Sequence, residues 1–306
     1  MKRRKFVKQG SALAAGGLLY SCGGSSTTQS TESTEGEETV EEVKKLDDIG
    51  IQLYTLRNEL QADGADRAAI LKKVADVGYK HVEMYMLGGK HHLGYTREEF
   101  KSILDDLGMR VTSAHVGIGG PDNPMTLTNG FEQVIDDAVF LGQKYIVCPH
   151  PGRIESIDAW KAKIDIFNGC GEQCKAAGVQ FGYHNHALEF EEVDGQIPFD
   201  IIMQNSDPSI IQFELDMYWS IMAGAGSVEL FNKYPNRFPL WHVKDMSKEK
   251  ENETTFLGGG SIDYESVFAN GGNAGRDLFY VEQEHYPIDA YQSIQKCYDY
   301  LSAINA

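Results

Sequence analysis

Four short stretches of this chain hold side chains able to bind a metal ion or move a proton: Tyr183-His184-Asn185-His186, Leu215-Asp216, Trp241-His242-Val243-Lys244 and Val281-Glu282-Gln283. In each, the polar residue closes a short run of apolar or β-branched residues, as at the end of a buried strand. Brought together, His184, Asp216, His242 and Glu282 would set two imidazoles and two carboxylates about one point. That donor set suits Mn2+ first, and Zn2+, Co2+, Fe2+ or Mg2+ as alternatives, rather than Ca2+. The cation would act as a Lewis acid while a base removes a proton from carbon beside a carbonyl or hydroxyl. Glu282 and the His184/His186 pair are the expected bases, and Lys244 the expected donor to a substrate oxygen.

Other polar residues fall at comparable places: Gln52 and Tyr54, Glu83, His115, and Cys148 with His150. Of these, Gln52, Tyr54, Glu83 and His115 are expected to bind substrate, together with Glu189 and Trp219. Glu189 reads equally well as a solvated member of the acidic run to Asp194; a structural ion pair is the lesser alternative for Lys244-Asp245. A lone polar strand end is more often a satisfied hydrogen-bonding group than a ligand. Eight such ends at one mouth would cost several kcal/mol in desolvation unless a cation compensates them. Tyr54, Tyr85, Tyr183, Tyr218, Trp219 and Tyr286 lie at or just past strand ends, where rings can stack on a sugar; core packing accounts for about half of them.

The elements that would hold these residues recur along the chain. Val77-Gly78, Leu107-Gly108, Leu141-Gly142 and Ala177-Gly178 each precede a β-branched run within about four residues, the punctuation of a helix end followed by a parallel strand. Phe100, Ile103, Leu104 and Leu107 keep helical spacing, as do Tyr291, Ile294, Tyr298 and Leu301. Eight strands are expected, at 50–54, 80–85, 110–116, 144–148, 179–184, 210–216, 240–244 and 278–283. Eight βα units close into a (β/α)8 TIM barrel of ~250 residues, a single α/β domain over 49–306. An open doubly wound sheet would use fewer strands and a glycine-rich turn after the first, where this chain reads Tyr54-Thr55-Leu56-Arg57. Gly258-Gly259-Gly260-Ser261 could cradle a phosphate, but Asp263 at the following helix start favours a cap and a flexible loop.

At these motifs, with Glu189-Phe190 and Trp219 beside them, the chain resembles the xylose-isomerase-like sugar isomerase and epimerase superfamily, which also holds endonucleases for abasic DNA. The resemblance spans 49–306. It implies that positions 184, 216, 242 and 282 hold the metal. In the epimerases the first and last of these are usually glutamates that pass a proton on opposite faces of an enediolate. Here the first is His184, and the His-x-His run looks like the dehydratase-type and keto-sugar branches. The expected activity is isomerisation or epimerisation of a non-phosphorylated sugar or keto-sugar. The alternatives are lyase or hydrolase cleavage of a 3-keto-glycoside by elimination, and a non-catalytic, lipid-anchored sugar-binding protein.

Composition narrows the partners. The 306 residues carry a formal net charge of −17. Residues 1–21 hold five basic side chains and no acidic one, and 23–48 hold eight acidic residues against two lysines, which leaves −16 on 49–306. Such a body repels phosphate backbones, so a small carbohydrate is expected and a nucleic acid is not. Residues 1–22 read as an export signal: Lys-Arg-Arg-Lys, an apolar run, then Leu19-Tyr20-Ser21-Cys22. They resemble a twin-arginine lipoprotein signal with Cys22 as the lipidated residue, which implies a periplasmic or outer-membrane-anchored protein touching membrane only through its anchor. Residues 23–48, rich in Ser, Thr, Glu and Gly, read as a disordered acidic linker. Cys148, Cys170, Cys174 and Cys297 lack the spacing of a disulfide scaffold and read as small buried apolar groups.

Overall fold

The computed structural model describes residues 46–120, 123–152, 154–250 and 252–304. The expected signal at 1–22, and the linker up to residue 45, lie outside the described residues. Leu46 is buried against the barrel and Asp48 meets Arg110 across its base, so the packed chain is already under way three residues before position 49.

Eight parallel strands form a closed barrel: β1 (Gly50–Gln52), β2 (His81–Met84), β3 (Arg110–His115), β4 (Tyr145–Cys148), β5 (Gln180–His184), β6 (Ile211–Asp216), β7 (Leu240–Val243) and β8 (Leu278–Val281). Every expected strand is present, shorter by one or two residues: Tyr54, Lys244 and Glu282 fall just past the ends of β1, β7 and β8, whereas β4, β5 and β6 lose only their first residue and keep Cys148, His184 and Asp216 in the ladder. β1 closes on β8 through Gly50 opposite Tyr280. Gly108 and Gly142 follow their helices with φ of 63° and 72°, a left-handed conformation in which a side chain would be strained.

The helices explain which stripe is buried. In Arg97–Asp106, capped by a Thr96/Glu99 capping box, Phe100 and Leu104 are buried and Ile103 packs at the margin. Ile294 and Leu301 do the same in Ala290–Ala303. Large side chains such as Phe181 and Trp241 are wholly buried between sheet and helices, each contributing about 2–3 kcal/mol. Cys148, Cys170, Cys174 and Cys297 are buried free thiols. Among the described residues no helix is long and apolar enough to cross a membrane.

Inside the barrel the lower half is filled by Tyr145, Val147, Leu240, Leu278 and Tyr280. Above them Thr112 meets His81 Nδ1 at 3.1 Å and the Tyr280 hydroxyl at 2.8 Å. Strand tilt staggers the register, so that Glu214 lies opposite His184 while Asp216 lies opposite His242. That stagger lifts Asp216 to the rim and leaves Glu214 one layer beneath it.

Candidate active site

The rim of the barrel gathers the expected ligands. Asp216 Oδ2 is 3.8 Å from His184 Nε2 and 3.9 Å from His242 Nδ1, and His242 Nδ1 is 3.0 Å from Glu282 Oε2. Separations of this size are of the order of the ~3–3.5 Å edge between ligands bound at ~2.1 Å. Asp216, His242 and Glu282 each offer an atom within 4.8 Å of the others, a group able to hold a metal ion. Asp216 is placed by its backbone: Oδ1 accepts the Trp219 N–H at 3.0 Å as the cap of the helix Met217–Met222, which leaves Oδ2 facing the site without an aligned donor. Two further buried carboxylate oxygens, Glu83 Oε1 and Glu214 Oε1, also lack hydrogen-bond partners. Oxygen-rich, partly unsatisfied and joined by imidazoles, the donor set fits a divalent cation.

Lys244 stands among the same carboxylates. Its Nζ is 2.9 Å from Asp216, 2.7 Å from Glu282 and 2.7 Å from Glu284. Burial opposes its charge, but the three carboxylates prevail and hold its pKa well above the ordinary value. Burial likewise works against the Glu282 carboxylate, yet Lys244 and His242 keep it below the usual range. Asp216, where burial dominates, is pushed up to about 6. His115 rises to about 9 because Glu83 and Glu214 outweigh its burial, whereas burial and the neighbouring His242 hold His184 well below the ordinary imidazole value. Lys244 does not pair with Asp245. That carboxylate turns away and accepts the backbone N–H groups of Gly258, Gly260, Ile262 and Met246 at 2.8–3.1 Å. The glycine run is therefore wrapped around an internal carboxylate, and the anion it could cradle is Asp245 itself.

The remaining expected residues divide by depth. Tyr54, His115, His184, His186, Lys244 and Glu282 line a cavity of about 370 Å3, with Tyr85 and Met86 on its outer wall. Trp219 stands behind His186, ring centroids 5.4 Å apart, and its Nε1 is buried without a partner, as is His186 Nδ1. Gln52 and Glu83 lie beneath the cavity: Gln52 Nε2 donates to Glu83 Oε2 at 2.7 Å, and both are wholly buried. Glu189 is also wholly buried, accepting from the Tyr183 hydroxyl at 2.6 Å and from the His186 N–H at 2.7 Å. It braces the end of β5, and Tyr183 and Tyr218 are core residues.

Three residues of the site were not singled out in the sequence. Glu214 accepts from His115 Nε2 at 2.7 Å and lies 2.9 Å from His184 Nδ1; its signal was its place two residues before Asp216, on the same face of a strand. Asn185 bonds the backbone of Asp216 in both directions. Glu284, half-buried behind Lys244, had no periodic signal, since it follows the end of β8.

Two solved structures from Parabacteroides distasonis, each described as a sugar phosphate isomerase/epimerase, superpose with TM-scores of 0.69 and 0.70 at 28% and 30% identity. They cover 89% and 83% of this chain and 98% and 97% of their own. Curated inosose dehydratases match shorter stretches. That of Clostridium perfringens is 27% identical over 127 residues, 36% of this chain and 42% of its own length. That of Geobacillus kaustophilus is 23% identical over 198 residues, 58% and 61% respectively. The chain thus spans less than two thirds of these curated relatives. The sequence pattern of the family described as xylose isomerase-like TIM barrel matches residues 71–300, most of the chain, and the protein belongs to that family.

Proposed function

We propose that this protein is a divalent-metal-dependent enzyme that removes a proton from carbon beside the carbonyl of a non-phosphorylated keto-sugar and then expels a β-substituent, a lyase-type reaction. The observation that carries the reading is the asymmetry of the rim. An imidazole, His184, stands where a two-face proton exchange would use a second carboxylate, and it faces Glu282 across Asp216 and His242. His184, Asp216, His242 and Glu282 would hold the ion. When bound, a divalent cation supplies Lewis-acid polarisation of a carbonyl oxygen and so acidifies the neighbouring C–H.

The chain's own groups do the rest. Glu282, kept ionised by Lys244 and His242, is a carboxylate able to accept the proton. His186 lines the cavity on the neighbouring wall, a position from which its ring could meet a hydroxyl or a leaving oxygen. Lys244 Nζ donates toward oxygen at the mouth. The outer wall of Tyr54, Tyr85, Met86 and Pro149 gives a flat apolar face to a leaving group. Among the described residues Lys244 is the one Lys or Arg lining the cavity, and it is already shared among three carboxylates, which disfavours a phosphate. The inosose dehydratase relatives, whose name denotes loss of water from a keto-sugar-like ring, support the same direction.

Isomerisation or epimerisation is the second reading, favoured by the description of the Parabacteroides relatives. Incubating the Mn2+-loaded protein in D2O with a 3-keto-glucoside bearing a chromogenic aglycone separates the two. Release of the chromophore is the expected result. Deuterium at the carbon beside the carbonyl, with the aglycone retained, would select the isomerase or epimerase, and neither outcome would leave a sugar-binding protein. The export signal and lipid anchor are part of the proposal and rest on residues 1–22 of the sequence.

A further inference from the structure

Glu83 and Glu214 are wholly buried, do not line the cavity, and have no route to a substrate. Yet between them they touch the inner nitrogens of both imidazoles at the rim. His184 Nδ1 is 2.9 Å from Glu214 Oε2, and His242 Nε2 is 2.6 Å from Glu83 Oε2 and 3.1 Å from Glu214 Oε2. His115 Nε2 closes the ring, 2.7 Å from Glu214 and 3.2 Å from Glu83.

An ionised carboxylate can only accept hydrogen bonds, so the imidazole nitrogen turned toward it carries the proton and the opposite nitrogen keeps its lone pair. For His184 the opposite nitrogen is Nε2, facing Asp216; for His242 it is Nδ1, facing Asp216 and Glu282. Both outer nitrogens therefore face the same rim point, and His242 Nδ1, itself 3.0 Å from Glu282 Oε2, offers a lone pair there once a cation takes the place of the proton it shares with that carboxylate. We propose that Glu214, assisted by Glu83 and His115, is a positioning residue that holds His184 and His242 each in one tautomer and one orientation for metal binding. The clamp is itself tied to the backbone: Gln52 donates to Glu83 while its own Oε1 accepts the Tyr54 N–H at 3.0 Å. Carboxylate partners of this kind also raise the basicity of a ligating imidazole.

This inference rests on the metal reading made above, and one alternative use of the same atoms exists. His115, His184, Glu214 and His242 are close enough to hold an ion themselves, one layer deeper. Titration of Co2+ into the chelator-stripped full chain, followed by its visible absorption, tests all three possibilities. The wild type should bind one Co2+, and Glu214→Gln should bind it about 10–100-fold more weakly with an altered spectrum. Glu83→Gln, which of the two rim imidazoles touches His242 and not His184, should move affinity in the same direction and serves if Glu214→Gln does not fold. Affinities within twofold of wild type in both variants would overturn the clamp while leaving the metal site standing. Two Co2+ in the wild type, one of them lost in Glu214→Gln, would make Glu214 a ligand instead. Failure of the wild type to bind, or unchanged binding by Asp216→Asn, would remove the metal reading and the clamp with it.

Discussion

Asn185 and Asp216 hold each other by two hydrogen bonds: Asn185 Nδ2 donates to the Asp216 carbonyl at 3.2 Å, and the Asp216 N–H donates to Asn185 Oδ1 at 3.0 Å. The side-chain amide completes the ladder between β5 and β6 just past its last backbone pair, where His184 and Asp216 must sit at a fixed separation. Asn185→Ala leaves a buried N–H and C=O unpaired and should cost about 1–3 kcal/mol of stability. Metal affinity should fall by about tenfold through misplacement of Asp216. Urea unfolding with parallel chelator competition checks both, and an unchanged metal affinity would show that Asn185 serves the fold alone.

Lys244 is the cation that offsets Asp216, Glu282 and Glu284 when no other is near. Lys244→Met should therefore destabilise the chelator-treated protein by about 3–5 kcal/mol, because buried carboxylates lose their partner. Mn2+ should restore most of that loss while turnover stays low. A melting temperature that Mn2+ does not raise would contradict the exchange of one positive charge for another.

Glu189 gives the fold a pH dependence of predictable sign. Burial pushes its carboxyl from 4.5 up to about 7, against the pull of the Tyr183 and His186 hydrogen bonds. Its contribution is fully present below pH 4.5 and is lost as pH rises through 7, because the folded protein holds a proton the unfolded chain has released. The amplitude is at most about 3 kcal/mol, from 1.36 kcal/mol per pKa unit. Glu189→Gln should gain stability relative to wild type between pH 5 and 7 and level off above that in urea unfolding. A difference that stays constant with pH would place the titration elsewhere.

Asp245 binds the loop at 258–262 through three of its backbone N–H groups, and the Met246 N–H besides. Asp245→Ala should cost about 3 kcal/mol or more, as charge-assisted bonds to backbone are individually worth about 1.5–3 kcal/mol. It should also open the loop to limited proteolysis near Gly259. Resistance equal to wild type would mean the loop holds its shape without the carboxylate.

Much of the site could be read along the chain because each βα unit is local. The glycine after a helix, the apolar run and the polar residue at its end lie within a few residues of one another. The parallel barrel, its eight strands and the polar rim at 184, 216, 242 and 282 follow from that repetition. Depth does not. Which side chain reaches which depends on the stagger between strands whose contacting residues are 30 to 159 positions apart, and on where a carboxylate finds its donors. Only the folded barrel sets Glu214 beneath Asp216 to meet three imidazoles, turns Glu189 back onto Tyr183, and feeds Asp245 into the glycine loop. Sequence period specifies the face on which a residue lies; the closed barrel specifies its height and its partners, because tilt and register are properties of all eight strands together.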